Sequence, residues 1–218
     1  MIVGSVRWVK ETAIIHPPFT YNNPSYLTAC TGFDALAQAI EAYWNVNATN
    51  ESDEYAVNAI KLLYPNLPLA VNFPTPENRN NVSEGAFWAG KAINITKTTA
   101  PHACSYFFTS FLGIHHGHAV ALTFPFFIKY NAVIEAGNKS PLLNDYLKYN
   151  QKISELFFLM NAEIESVDKI VRNYLLNIGL GKENLNHFPF DSFASYINIQ
   201  RLQNNPKNIS SETLKELY

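Results

Sequence analysis

The sequence predicts an all-α helical bundle with one leftover N-terminal strand, and three observations carry that reading. After Pro24, apolar residues recur at spacings of three and four, the period of an amphipathic helix. Capping residues stand ahead of these stretches, and Pro or Gly stands behind them. Only residues 5–15, SVRWVKETAII, mix β-branched and polar residues like a strand, and Pro17-Pro18 close that segment.

The first clear helix is expected to open near Thr31, where Thr31 and Asp34 make a capping-box-like pair. Phe33, Leu36, Ala37, Ile40, Tyr43 and Trp44 then share a face. A second is expected over about Ser52 to Tyr64, with Tyr55, Ala59, Leu62 and Leu63 on one side. Pro65 and Pro68 should stop it, because proline lacks an N–H and its ring meets the preceding turn. A third spans roughly Glu77 to Ile95. Pro101 suits the first turn of a helix that carries His102, Tyr106 and Phe107, and Gly113 ends it. The segment HGHAVALTFPFFIKYNAVI, from His116 to Ile134, is apolar almost all round. It predicts a buried helix ended or kinked at Pro125. Helical patterns continue near 141–160, 164–178 and 210–217, the last capped by Ser210 or Ser211.

With 218 residues, 47% of them hydrophobic, the chain can bury a sizeable core. A formal charge of -2 and a charged fraction of 16% give no field of one sign, which argues against nucleic acid or an anionic membrane as partner. A small molecule or a protein is the expected partner. Cys30 and Cys104 form no C-x-x-C pair and are too few for a disulfide framework, so a reducing cytoplasmic setting is the default. Lys10 and Glu11 interrupt the start of the chain, which therefore lacks a signal-peptide core. No apolar run approaches the ~18 residues of a membrane span.

Chemistry concentrates in three places. In GFDALAQAIEAYW, residues 32–44, Asp34 and Gln38 lie four apart and so share a helical face one turn from each other. His102 and His116, 14 residues apart, flank an aromatic helix. Two imidazoles, a carboxylate and an amide oxygen make an N/O donor set suited to a divalent ion such as iron(II) or zinc. Spacing alone leaves a second reading open, in which these are core histidines satisfied by hydrogen bonds.

The residues around these positions resemble the iron-containing alcohol dehydrogenase family. Its members carry G-x-D-A-L-x-H-x-x-E-A-Y, then a helix with an early His, then P-H-G-x-A-x-A-x-x-x-P. Here GFDALAQAIEAY stands at 32–43, His102 lies in TTAPHACSYFF, and HHGHAVALTFP stands at 115–125. The likeness runs from about Pro24 to the Asn-Pro near 205 and the closing helix. It implies the helical domain of the dehydroquinate synthase-like fold. Asp34, His102 and His116 fall on three of the family's four metal ligands, and Gln38 stands where the remaining one is usually His. Tyr106 occupies the place of another His kept near the substrate.

The resemblance also implies an activity: hydride transfer between NAD(P) and a small aldehyde or alcohol, helped by the metal. His118 is then a candidate proton relay. The family binds its nicotinamide cofactor in a preceding α/β domain through a Gly-rich turn. None of the nine glycines here clusters that way. Residues 1–22 are therefore expected to be a strand and linker left from that domain, and residues 23–218 the helical metal-binding domain. These residues alone are expected to be inactive, working as a homodimer or with a cofactor domain. The run KAINITKTTAPHACSY, 91–106, further resembles the group that reduces phosphonoacetaldehyde. It implies that Lys97, Thr98 and Thr99 hold a phosphonate with a cation, hydroxyls and helix-start N–H groups. An exposed lysine beside an ordinary helix cap is the plainer reading. His115 is incidental, and His16 and His187 lie outside any motif.

Two other classes compete. One is a non-catalytic helical remnant that binds a partner through an apolar patch around Trp8, Ile14 and Ile15. The other is a lyase on the dehydroquinate synthase plan, whose metal motifs differ from those present here.

Overall fold

The computed structural model describes residues 15–137, 139–181, 193, 197 and 199–216. After a 3-10 turn at Pro17–Thr20 come α1 (Ser25–Trp44), α2 (Asn50–Asn72), α3 (Pro76–Thr96), α4 (Ala100–Leu112) and α5 (His116–Tyr130). They are followed by α6 (Tyr146–Leu159), α7 (Val167–Asn177), α8 (Ile199–Leu202) and α9 (Ser211–Lys215). Among the described residues there is no strand, only an isolated bridge between Lys139 and Lys207. The expected strand, apart from Ile15, lies outside the described residues, as do Trp8, Ile14 and His187.

Several helices differ in extent from the sequence expectation, each for a visible reason. α1 opens at Ser25 because Pro24 supplies the turn into it. Thr31 is then an interior residue whose hydroxyl donates to the Leu27 carbonyl at 2.9 Å, so it caps nothing. α2 continues through Pro65 and Pro68 to Asn72. In a regular helix the Tyr64 carbonyl would bond the N–H of residue 68, which proline lacks. The Tyr174 hydroxyl on α7 donates to it instead at 3.0 Å, and the two tyrosine rings stack at 4.8 Å. α5 runs through Pro125 but ends at Tyr130. Beyond it, Asn150 takes both the N–H and the carbonyl of Ile134 at 2.9 Å, so that backbone cannot stay helical. Gly113 does end α4, in the left-handed conformation at φ 64°, and the Ser210 hydroxyl does cap α9.

α1 lies at the centre, packed against α2, α3 and α5. Its apolar face joins Phe33, Leu36, Ile40 and Trp44 to Ile60, Leu63 and Leu67 of α2 and Phe124 of α5, all fully buried. Each such side chain contributes roughly 1.5–3 kcal/mol on leaving water. A second cluster gathers Phe107, Phe108, Phe127 and Phe193 around α4. α1 and α5 touch at Gly117, where a Cβ would stand 1.9 Å from the Cys30 carbonyl oxygen and 3.1 Å from the Asp34 Cβ. This close approach brings the start of α5, and His116 with it, against Asp34. No helix among the described residues is long and apolar enough to cross a membrane.

Candidate metal centre

Asp34, Gln38 and Glu41 occupy successive turns on one face of α1, and the starts of α4 and α5 meet that face. Asp34 Oδ1 lies 3.2 Å from His102 Nε2 and 3.6 Å from His116 Nε2. One ligand atom from each of the three residues lies within 4.8 Å of the others. Atoms bound at about 2.1 Å to one cation stand roughly 3.0–3.4 Å apart, so this donor set fits a single small divalent ion. His102 is buried, whereas Asp34 and His116 are partly exposed, so the cluster opens to solvent on the His116 side.

The hydrogen bonds behind the imidazoles turn both Nε2 atoms toward that point. His102 Nδ1 donates to Glu41 Oε1 at 2.8 Å, and Glu41 Oε2 accepts the Thr99 N–H at 2.7 Å. Glu41 is fully buried, and this carboxylate–histidine pairing fixes the ring and raises its basicity. Ser105 spends its single hydroxyl proton on the His102 carbonyl at 2.8 Å, so its oxygen can only accept from His116 Nδ1, 3.4 Å away. Burial opposes charge on His102, but Glu41 and Asp34 overcome it and raise the imidazole to about 9. Burial lowers His116, with His102 and Arg201 acting in the same direction and Asp34 opposing them.

Gln38 is bonded to Asp34. Its amide nitrogen donates to Asp34 Oδ2 at 2.8 Å; because a carboxylate only accepts, the NH2 group and not the carbonyl oxygen faces it. Gln38 thus anchors one oxygen of Asp34 while the other faces the imidazoles. The amide that holds Glu41 comes from a tight turn between α3 and α4. There Lys97 adopts φ 65° and ψ -179°, a region almost reserved for glycine. Asn45 Nδ2 and Thr96 Oγ1 both donate to its carbonyl, at 3.1 and 2.9 Å, and hold the turn.

The remaining predicted residues spread around this cluster. Tyr106, one turn beyond His102, places its ring 5.8 Å from that of His116, and the Arg201 guanidinium lies 5.1 Å over the tyrosine face. Lys97 and Thr98 line a cleft of about 690 Å³ with Asn94, Arg201 and Asn204. Thr99 does not reach that cleft. It is fully buried, its N–H is on Glu41, and its hydroxyl accepts from Trp44 Nε1 at 2.9 Å. His118 is buried and lies outside the ligand cluster. Its Nε2 accepts the Gly181 N–H at 3.2 Å, so Nδ1 carries the proton and donates to Tyr26 Oη at 3.0 Å. His115 rests edge-on against Tyr26, and His16 against Phe19.

Three residues of the site escaped the sequence reading. Glu41 was findable, since it sits seven positions after Asp34 on the same helical face. Ser105 and Arg201 carried no comparable signal.

Known proteins place this arrangement. The profile of the Fe-containing alcohol dehydrogenase family, C-terminal, matches residues 28–218. Long-chain-alcohol dehydrogenase 1 of Geobacillus thermodenitrificans is 36% identical over 123 residues, 56% of this chain and 31% of that protein. Phosphonoacetaldehyde reductase of Streptomyces viridochromogenes is 34% identical over 132 residues, 60% of this chain and 33% of that protein. Among solved structures, sulfoacetaldehyde reductase from Bifidobacterium kashiwanohense in complex with NAD+ superposes with a TM-score of 0.77 at 30% identity, over 93% of this chain and 52% of that one. The matched region thus spans about a third of these curated relatives and about half of that solved structure. With the helical architecture, the ligand cluster and a family match over most of its length in agreement, the chain belongs to the Fe-containing alcohol dehydrogenase family, as its C-terminal domain.

Proposed function

We propose that residues 23–218 act as the metal-binding domain of an NAD(P)-linked aldehyde reductase or alcohol dehydrogenase, with the nicotinamide bound by a domain outside these residues. The observation that carries the proposal is the convergence of Asp34, His102 and His116 within 4.8 Å on one open-sided point. Iron(II) or zinc held there supplies Lewis acidity toward a carbonyl or alcohol oxygen. The chain's own groups do the rest. Glu41 and Ser105 hold the two imidazoles with Nε2 outward, and Gln38 holds Asp34. Tyr106 walls the exposed side next to His116.

His118 carries no proton for the site in this proposal: its Nε2 accepts the Gly181 N–H and its Nδ1 proton goes to the Tyr26 hydroxyl, so neither nitrogen is open to the cluster. A small phosphonoaldehyde is the proposed substrate, with Lys97 and Thr98 on its tail. The likeness to a phosphonoacetaldehyde reductase supports that choice, and Thr99 serves Glu41 instead.

The test is metal content. The purified chain, exposed to iron(II) or zinc and then dialysed, should hold close to one equivalent, and the His102→Ala, His116→Ala double variant should hold none. A wild-type chain that emerges metal-free after that exposure removes the basis of the proposal and leaves a non-catalytic helical domain as the better reading.

A further inference from the structure

We infer that the cleft between α2 and α6 is a second reaction site, in which the Lys152 amine condenses with a short, uncharged aldehyde to form an imine. The cleft holds about 530 Å³, and Tyr43 of α1 forms part of its wall. Tyr43 stands two residues after Glu41, about 200° further round the helix, so the cleft lies across α1 from the metal centre. Asp53, Glu54 and Glu155 bring three carboxylates to the lining, and Lys61, Lys148 and Lys152 bring three amines. These charges cancel, which favours an uncharged ligand, and the amides of Asn50, Asn58 and Gln151 can hydrogen-bond its hydroxyl groups.

Lys152 differs from the other two amines in its surroundings. Lys61 and Lys148 are exposed, whereas the Lys152 side chain keeps only 17% of its surface. Its Nζ donates to Asp53 Oδ1 at 2.5 Å and lies 4.4 Å over the Tyr43 ring, whose hydroxyl donates to Glu155 Oε2 at 3.3 Å. Burial lowers Lys152, with Lys148 acting the same way and Asp53 and Glu155 opposing. Burial raises Asp53, with Glu155 adding to it and Lys152 and Lys148 opposing. Both directions move the shared proton from nitrogen toward the carboxylate, which is how a partly desolvated lysine becomes a nucleophile.

The pair can carry the whole condensation. Asp53 takes one proton from the ammonium, and the freed nitrogen pair bonds to the carbonyl carbon. The C=O pair passes to the oxygen, which takes the proton from Asp53. A second proton then leaves nitrogen for Asp53 and passes to the same oxygen. The C–O bond breaks, water departs, and the nitrogen pair closes the C=N bond. The protonated imine keeps the single positive charge of the ammonium, opposite the Asp53 carboxylate and over the Tyr43 face, the two groups that held the ammonium.

The test treats the metal-free chain with glycolaldehyde and sodium cyanoborohydride, which reduces the imine to a stable amine, and maps the labelled lysines by mass spectrometry. Because it needs no metal, its outcome is separate from that of the metal-centre reading. At pH 7, Lys152 should label about tenfold faster or more than Lys61 and Lys148, which share its cleft. Its rate should level off as glycolaldehyde rises, as binding in a cleft requires, while theirs climbs in proportion. The lead should shrink toward pH 10.5, where ordinary lysines lose their protons too. Asp53→Asn keeps the shape and removes the proton carrier, so it should slow Lys152 about tenfold and leave Lys61 and Lys148 as they were. Lys152 labelled no faster than Lys61 and Lys148 in the wild type overturns the inference, and that comparison stands by itself should the variant not fold. A folded Asp53→Asn chain that labels Lys152 as fast as the wild type, or faster, makes Asp53 only a counter-ion and overturns it as well.

Discussion

Replacing Gly117 by alanine should empty the metal centre without altering a single ligand. The added Cβ would sit 1.9 Å from the Cys30 carbonyl oxygen and 2.7 Å from its carbon, against a floor of 3.0 Å for real Cβ contacts. The obstacle is backbone in the N-terminal third of α1, so no side chain can rotate away and the two helices must separate by about 1 Å. Metal-ligand distances tolerate deviations of only about 0.2 Å. Asp34 on α1 and His116 on α5 would then stand too far apart to share an ion. Overpacking of this kind costs about 1–3 kcal/mol, small enough for the domain to stay folded. The measurement is metal content by elemental analysis beside a thermal unfolding curve. Gly32→Ala is the control, because its Cβ would meet the Leu67 Cδ1 at 2.3 Å, the end of a flexible side chain against α2. It should lose stability and keep its metal. A folded Gly117→Ala protein with wild-type metal content would refute the reasoning.

Two further substitutions probe the shell behind the ligands. Glu41→Gln keeps the shape but leaves one oxygen to accept from both His102 Nδ1 and the Thr99 N–H, so one buried donor faces an NH2 group. Metal affinity should fall about 10–100-fold in a chelator competition, with about 1–3 kcal/mol of stability lost; an unchanged affinity would mean Glu41 does not tune His102. Gln38→His returns an imidazole to the position beside Asp34 and should tighten metal binding by about tenfold or more, equivalent to ~1.4 kcal/mol. No gain in the same competition would show that the bond from Gln38 to Asp34 is worth as much as a fourth ligand.

Much of this protein was decided by local sequence. The 3.6-residue period marked the major helices, Gly113 and Ser210 marked their ends, and the words around Asp34, His102 and His116 marked the cluster that the fold assembles. Those signals are legible because capping, left-handed glycine and helical facing depend only on neighbours along the chain. The rest depended on groups far away in sequence. At Pro68, a tyrosine 110 positions later donates to the carbonyl that the proline orphans. Gln38, on the right face for a ligand, shows Asp34 its NH2 because the carboxylate can only accept. His118, two residues past His116, has its nitrogens claimed by Gly181 and Tyr26. Arg201 reaches Tyr106 across 95 residues that show no shared pattern. Spacing fixes which face of a helix a side chain occupies; only the packed neighbours decide which atom it offers, because hydrogen-bond partners are chosen by distance in space.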